Sequence, residues 1–497
     1  MVIKMEQRPL NIVWFCTDQQ RWDTISCLGN PYIKTPNIDK FISEGVAFTR
    51  AYTQAPVCTP SRSCFLTGRY PKTTKAFYNG NDNYSKDEKL VTKLLSEEGY
   101  VCGLSGKLHL TSAQGRMEKR TDDGYSYMQW SEHPNDDWLN GENDYQNWLK
   151  EKGLKWADIY GGKYTSMATW PPTPNPNFTG KTVGVPAKYH QTTWCVEKAI
   201  EFMEENRGKG YPWLISLNPY DPHPPLDPPQ EYKDRLKVED MPLPLWKEGE
   251  LDNKPPHQQK DFYQGGQDGQ AEPFPELSDE EKREHFRDYY AEIELIDDQF
   301  GRLMDYLDMT GERDNTLVIY MSDHGEMNGD HGLYWKGAYF YEALTHVPLI
   351  ISCPSRILKG VKSNALVELV DLAPTLMELA GFEVPYYMQG KSLAPILTGK
   401  ADKDYHKDSV YSEFYHCLKG THEDIYATMY FDGRYKIVNY HGKEYGELYD
   451  LEKDPCEFEN LWDVEEYGEL RNELIKRNFD SAILKNMDFS MHLVNEY

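Results

Sequence analysis

Four places in this 497-residue chain set polar, proton-handling side chains just after a short apolar run. Asp18-Gln19 follows NIVWFCT, Lys107-Leu108-His109 follows YVCGLSG, Asp221-Pro222-His223 comes soon after WLISLN, and Asp323-His324 follows TLVIYMS. Asp18, Gln19, Asp323 and His324 together offer carboxylate, amide and imidazole donors. That mostly oxygen set suits Ca²⁺ first and leaves Mg²⁺ and, because of the imidazole, Mn²⁺ open. Two carboxylates only partly neutralise a divalent cation, so such a site stays positive and attracts an anion. Singly, each residue has a plainer reading: an Asp after a strand is commonly a helix N-cap, and a lone His is more often structural. Independent caps have no reason to supply all four sets at successive strand ends. A fifth stretch, PVCTPSRSCFLTGRYP, sets Cys58 where a short helix begins. On residue type alone its thiol is a packed small hydrophobe, a redox group, a nucleophile or a precursor of something else.

The elements that must position these residues are legible as well. The runs Asn11 to Thr17, Tyr100 to Ser105, Trp213 to Asn218 and Thr316 to Ser322 have few polar interruptions, the pattern of strands buried on both faces. Helix-like stretches alternate with them, which predicts a parallel α/β sheet whose ligand crevice lies beyond the carboxyl ends of the strands. Thr35-Pro36 and Gly45 bracket one helix, and Ser278-Asp-Glu-Glu281 reads as a capping box before a long helix ending near Gly311. The stretches near 121–188 and 226–275 are rich in Trp, Tyr, Asn and Pro with little periodicity and read as insertions over one face, walls of a site or ordinary surface loops. After residue 400 the pattern changes. Short strands are expected at Ser409 to Phe414, Ile425 to Tyr430 and Tyr435 to Tyr440, the last two joined through Asp432-Gly433, with a charged helix from about Val464. The expected division is a catalytic α/β domain over 1–400 and a small antiparallel α+β subdomain over 401–497.

Composition excludes several classes. A net charge of −26 speaks against nucleic acid, which is bound by clustered Lys and Arg. Nine scattered cysteines with no CxxC pair argue for reduced thiols rather than a disulfide framework or zinc ribbon. The opening MVIKMEQRPLNIVWF lacks a long apolar core and cleavage site, and no apolar run is long enough to span a bilayer. The expectation is a protein without membrane contact, cytoplasmic, with a periplasmic mature form left open.

Cys58-Thr59-Pro60-Ser61-Arg62 followed by Leu66-Thr67-Gly68-Arg69 resembles the signature of the formylglycine-dependent (type I) sulfatases of the alkaline phosphatase superfamily. The likeness continues through Gly106-Lys107-Leu108-His109, Asp323-His324-Gly325, His331-Gly332 with Lys336, Tyr341-Glu342, Val347-Pro348-Leu349 and Leu448-Tyr449-Asp450-Leu451 with Asp454-Pro455, so it covers nearly the whole chain in order. It implies an alkaline-phosphatase-like fold: a mixed, mostly parallel sheet sandwiched by helices. It also implies that a separate maturation enzyme oxidises Cys58 to formylglycine, whose hydrated aldehyde, held on the metal, is the nucleophile toward sulfate esters. By the same resemblance Arg62 holds residue 58, Lys107 and Lys336 bind sulfate oxygens, His223 protonates the leaving alcohol and His109 assists release of sulfate. The substrate class implied is a carbohydrate or other small organic sulfate. Asp18-Gln19 and Asp323-His324 resemble a branch that includes choline sulfatases and phosphonate monoester hydrolases, while Ser61 favours the sulfatase side. Two alternatives stand beside this reading: a phosphonate monoester or phosphodiester hydrolase, and a non-catalytic glycan-binding protein in which Cys58 stays a thiol.

Overall fold

The computed structural model describes residues 9–113, 117–132, 143–154, 185–269 and 271–487. In chain order its strands are β1 (Asn11–Thr17), β2 (Val46–Phe48), β3 (Ala51–Tyr52), β4 (Val101–Gly106), β5 (Tyr125–Trp130), β6 (Trp213–Asn218), β7 (Thr316–Ser322), β8 (His346–Val347), β9 (Leu349–Ser352), β10 (Val361–Ser363), β11 (Val367–Glu368), β12 (Val410–Tyr415), β13 (Tyr426–Phe431), β14 (Tyr435–Tyr440) and β15 (Gly446–Asp450). Eight form one sheet in the order β10-β2-β9-β7-β1-β6-β4-β5. β1 runs parallel to β6 and β7, and β4 runs parallel to β6 and β5; β9 alone among these eight is antiparallel to its neighbours.

Every residue of β1, β6 and β7 is buried, because alternate side chains enter separate cores on the two faces of the sheet. Val13 and Phe15 pack with Trp194, Phe202, Tyr289, Ile293 and Phe300, from helices Gln191–Asn206 and Asp279–Thr310. Ile12, Trp14 and Cys16 pack on the other side with Phe65, Leu66, Leu372 and Leu376, from helices Cys58–Thr67 and Leu372–Ala380. The result is the sandwich expected from the sequence. The Asp279–Thr310 helix begins at the Ser278 capping box and ends at Gly311, whose φ of 70° gives the left-handed cap that glycine adopts without strain.

The smaller C-terminal sheet is antiparallel, β12-β13-β14-β15, and helix Gly468–Leu484 covers it through Leu474. Two differences from the sequence reading stand out. The stretch read as an insertion from residue 121 opens instead with β5, the edge strand of the main sheet; its YSYMQW is half-exposed and does not alternate cleanly, so the period-2 signal is weak. Residues 133–142 and 155–184 of that stretch lie outside the described residues. The fourth tail strand, β15, was not foreseen, whereas the charged final helix opens near Val464 as expected, with a tight helical turn over Glu465–Tyr467 leading into Gly468–Leu484.

Candidate active site

The strand ends converge as the parallel sheet dictates. At the end of β1, Gln19 takes a left-handed φ of 72°, which turns the chain sharply, and the Asp18 amide donates to the Asp221 carbonyl beyond β6 at 3.2 Å. β4 closes on Gly106, φ 105°, where a Cβ would lie 2.0 Å from the Asn218 carbonyl oxygen; only glycine permits that approach. The following Lys107 amide donates to the same carbonyl at 2.9 Å. Cys58 is the first residue of a ten-residue helix, all of it buried, so the positive end of the helix dipole favours negative charge beside its side chain.

The side chains meet at Cys58. Its Sγ lies 3.1 Å from His324 Nε2, 3.1 Å from Lys336 Nζ and 3.6 Å from Asp18 Oδ1. Single donor atoms of Asp18, Cys58, Asp323 and His324 all lie within 4.8 Å of one another, and all four residues are buried. His324 Nδ1 faces the Gly325 carbonyl at 2.8 Å, which sets the ring proton there and leaves the Nε2 lone pair directed at the cluster. This donor set fits a divalent cation. Gln19 lies beside it with its amide fixed: Nε2 donates to Glu326, and Oε1 accepts from Lys336 Nζ at 2.7 Å.

Cations surround this core. Arg62 Nε donates to Asp323 Oδ2 at 2.8 Å, with Nη2 3.4 Å from Asp18 Oδ2. Lys107 Nζ pairs with Asp18 Oδ2 at 2.6 Å and with Glu132 at 3.3 Å. Burial opposes the charge on Asp18, but Lys107, His223, Arg62 and Lys336 overcome it and hold the carboxyl well below the usual range. Burial likewise opposes charge on Lys107 and Arg62, and their carboxylate partners raise both above their ordinary values. Burial, reinforced by Asp18, pushes the Cys58 thiol up to about 11. His223 Nδ1 contacts the Pro224 carbonyl at 2.5 Å and its Nε2 lies 2.7 Å from Lys336 Nζ. That arrangement lets one proton pass between the lysine and the imidazole.

The sequence-predicted set Asp18, Gln19, Cys58, Arg62, Lys107, His223, Asp323, His324 and Lys336 is thus contiguous. His109 stands at the margin, with φ 57°; its carbonyl accepts from Thr59 Oγ1 at 2.9 Å. Sequence reasoning missed the carboxylates that support this set. Glu326 anchors Gln19 and accepts from the amides of Asn328 and Trp335. Glu118 accepts from the amides of His109, Leu110 and Thr111 and from Trp130 Nε1. Glu326, three residues beyond Asp323, sat close enough to be suspected; Glu118 and Glu132 carry no local signal.

The sulfatase family model matches residues 10–382 of the chain. The chain belongs to the sulfatase family. A second model, the C-terminal region of N-sulphoglucosamine sulphohydrolase, matches residues 329–482. An arylsulfatase of Clostridium perfringens is 32% identical over 483 residues, 94% of each chain. An N-acetylglucosamine-6-O-sulfatase of Bacteroides thetaiotaomicron is 28% identical, over 95% of this chain and 86% of that one. The structure of a phosphonate monoester hydrolase from Agrobacterium radiobacter superposes with a TM-score of 0.81 at 24% identity, covering 98% of each chain, which establishes the shared fold. The protein is therefore a sulfatase-type hydrolase that acts on a sulfate ester at its Cys, Asp and His metal-binding cluster. No helix among the described residues is long and apolar enough to cross a membrane.

Proposed function

We propose that this sulfatase hydrolyses a saccharide or other small organic sulfate monoester, RO–SO₃⁻ + H₂O → ROH + SO₄²⁻ + H⁺, at a formylglycine made from Cys58 by a transient maturation enzyme. The observation that carries the reading is the packing of His324 Nε2, Lys336 Nζ and Asp18 Oδ1 around the Cys58 side chain at the start of a buried helix. Asp18, Gln19, Asp323, His324 and residue 58 would hold the cation, for which the oxygen-rich set favours Ca²⁺ over Mg²⁺ or Mn²⁺. When bound, the cation and the hydrated aldehyde supply a hydroxyl of lowered pKa as nucleophile.

The chain's own residues do the rest. Arg62 orients Asp18 and Asp323 through its guanidinium contacts. Lys107 and Lys336 receive sulfate oxygens as charge builds on them, a task for fixed cations in a site closed to water. His223, sharing a proton with Lys336 across 2.7 Å, delivers it to the departing alkoxide. His109 removes the proton whose loss releases sulfate. The names of the Bacteroides relative and of the C-terminal family model support a sugar sulfate as substrate. Free thiols at all nine cysteines support a reducing, cytoplasmic location.

The test is the mass of the tryptic peptide Ala51 to Arg62 from protein produced beside a maturation enzyme, followed by rates on sugar and aryl sulfates. A peptide lighter by the difference between CH₂SH and CHO, with sulfate release, is expected; an unmodified thiol with no sulfate release would overturn the reading. A second reading, a phosphonate monoester or phosphodiester hydrolase, draws on the neutral donors Gln19 and His324, which leave the site more positive than an all-carboxylate set would. Faster turnover of an aryl phosphonate than of the aryl sulfate would favour it.

A further inference from the structure

Lys336 sits on irregular backbone: between the turn Asp330–Gly332 and the helix Glu342–Thr345 no strand or helix holds the chain. Its ammonium nevertheless lies 3.1 Å from Cys58 Sγ, 2.7 Å from Gln19 Oε1 and 2.7 Å from His223 Nε2. A lysine carries its charge on a flexible four-carbon stem, so aiming it with the precision catalysis needs requires a fixed backbone beneath it.

Side chains from two distant parts of the chain fix that backbone. The Ala338 amide donates to His422 Nδ1 at 3.2 Å, and the Ala338 carbonyl accepts from His257 Nε2 at 3.1 Å. The Lys336 carbonyl accepts from Gln267 Nε2 at 3.1 Å. Peptide groups that a strand or helix would satisfy are satisfied here by side chains. His257 and Gln267 belong to the 226–275 stretch, His257 on the helix Pro256–Gln264. His422 lies in the connection between β12 and β13 of the C-terminal sheet, in left-handed backbone with φ 53°, which is uncommon outside glycine.

The His422 ring is itself aimed. Its Nε2 lies 2.8 Å from Asp261 Oδ2, and the same carboxylate, on the Pro256–Gln264 helix, also accepts from the Tyr339 hydroxyl. A carboxylate at that place sets the ring proton on Nε2 and leaves Nδ1 as the acceptor the Ala338 amide requires. Gly337 lets the ring lie against the chain: a Cβ there would stand 2.8 Å from His422 Cε1 and 2.7 Å from the Tyr339 ring. Lys336, His422 and Asp261 are all buried.

We propose that His422 is a positioning residue for the hydrolysis: oriented by Asp261, it fixes the Ala338 peptide and through it sets Lys336 Nζ against the sulfate. A loop of the C-terminal sheet thereby completes the active site, and helix Pro256–Gln264 braces the catalytic lysine. This inference rests on the reading of Lys336 as a sulfate ligand given above.

The experiment is a double-mutant cycle on the full-length protein produced beside a maturation enzyme, with 4-nitrophenyl sulfate as the probe and rates taken per mole of formylglycine. His422→Ala should lower kcat about 10- to 100-fold with KM little changed. In the Lys336→Ala background the same substitution should cost less than about twofold more, because the group it serves is gone. A wild-type kcat for His422→Ala beside a slow Lys336→Ala, or an undiminished His422→Ala effect in the Lys336→Ala background, overturns the inference and leaves the reading of Lys336 standing. Lys336→Ala at the wild-type rate overturns both. Should His422→Ala fail to fold, His422→Asn and His422→Gln decide. Asn sets an amide oxygen where Nδ1 stood and should keep most of the rate, whereas Gln reaches Asp261 but not the Ala338 amide and should lose about tenfold; equal rates for the two overturn the inference.

Discussion

The catalytic cluster and the seam between the main body and the C-terminal sheet are both buried assemblies of charge, yet they are built differently. In the seam every charged atom has a matched partner. Lys436 Nζ donates to the Phe340 carbonyl, Glu342 Oε1 and Glu457 Oε1 at 3.0, 2.7 and 2.7 Å, and Glu342 Oε2 meets Tyr52 and His346 at 3.0 and 2.9 Å. Around Cys58 two carboxylates, an amide and an imidazole turn toward one thiol, while Arg62 and Lys107 hold the carboxylates and Lys336 holds the amide of Gln19. A network of matched opposite charges fixes structure, and several metal-capable donors turned toward one point fit a shared cation.

The sharpest way to separate the two is to remove the centre of each. Cys58→Ala should lower sulfate release by at least about 10⁴-fold, since the nucleophile itself is lost, while the melting temperature stays near wild type; normal turnover would refute the assignment. Lys436→Met leaves Glu342 and Glu457 buried without their cation and should cost about 3–5 kcal/mol in denaturant unfolding, with activity per folded molecule retained. Lys336→Ala should reduce kcat about 10²- to 10³-fold with little change in stability; an unchanged rate removes it from the site.

A pH scan probes the loop that carries Lys336. Burial pushes the His285 ring down to about 4, although Asn328 in that loop accepts its hydrogen bond. The unfolded chain takes up this proton near pH 6.5, the folded chain only near 4, so stability is full above about 6.5 and falls as the pH drops toward 4. The loss approaches roughly 3 kcal/mol, and His285→Gln should flatten that limb of the melting-temperature profile. The smallest effect expected is about tenfold in kcat for Glu326→Gln, because that side chain positions Gln19 and touches no substrate; an unchanged rate would place Glu326 in the seam's class, as structure alone.

Much of the catalytic cluster was legible because its members follow buried parallel strands, where local hydrophobic pattern and site position coincide. Asp18, Lys107 and Asp323 each sit within one residue of a strand end. Glu118, Glu132 and His422 could not be read this way: their partners are set by how distant segments pack, and their own neighbourhoods look like ordinary loop or helix. The edge strand β5 escaped for a related reason. A half-exposed strand with aromatic residues on both faces carries no clear period, and only its pairing with β4 defines it. The tail reversed the pattern, since its hairpin was marked by Asp432-Gly433 while the Lys436 anchor that clamps it was not.

The Cys58–His324 contact spans 266 positions of chain. On the ribosome, the segment around Cys58 therefore emerges long before the residues that will enclose it have been made. Until β7 pairs with β1, the signature helix has no pocket to enter and its thiol stays open to another enzyme. For the maturation enzyme proposed above, the order of synthesis thus sets a time window, and the closing of the central sheet ends it.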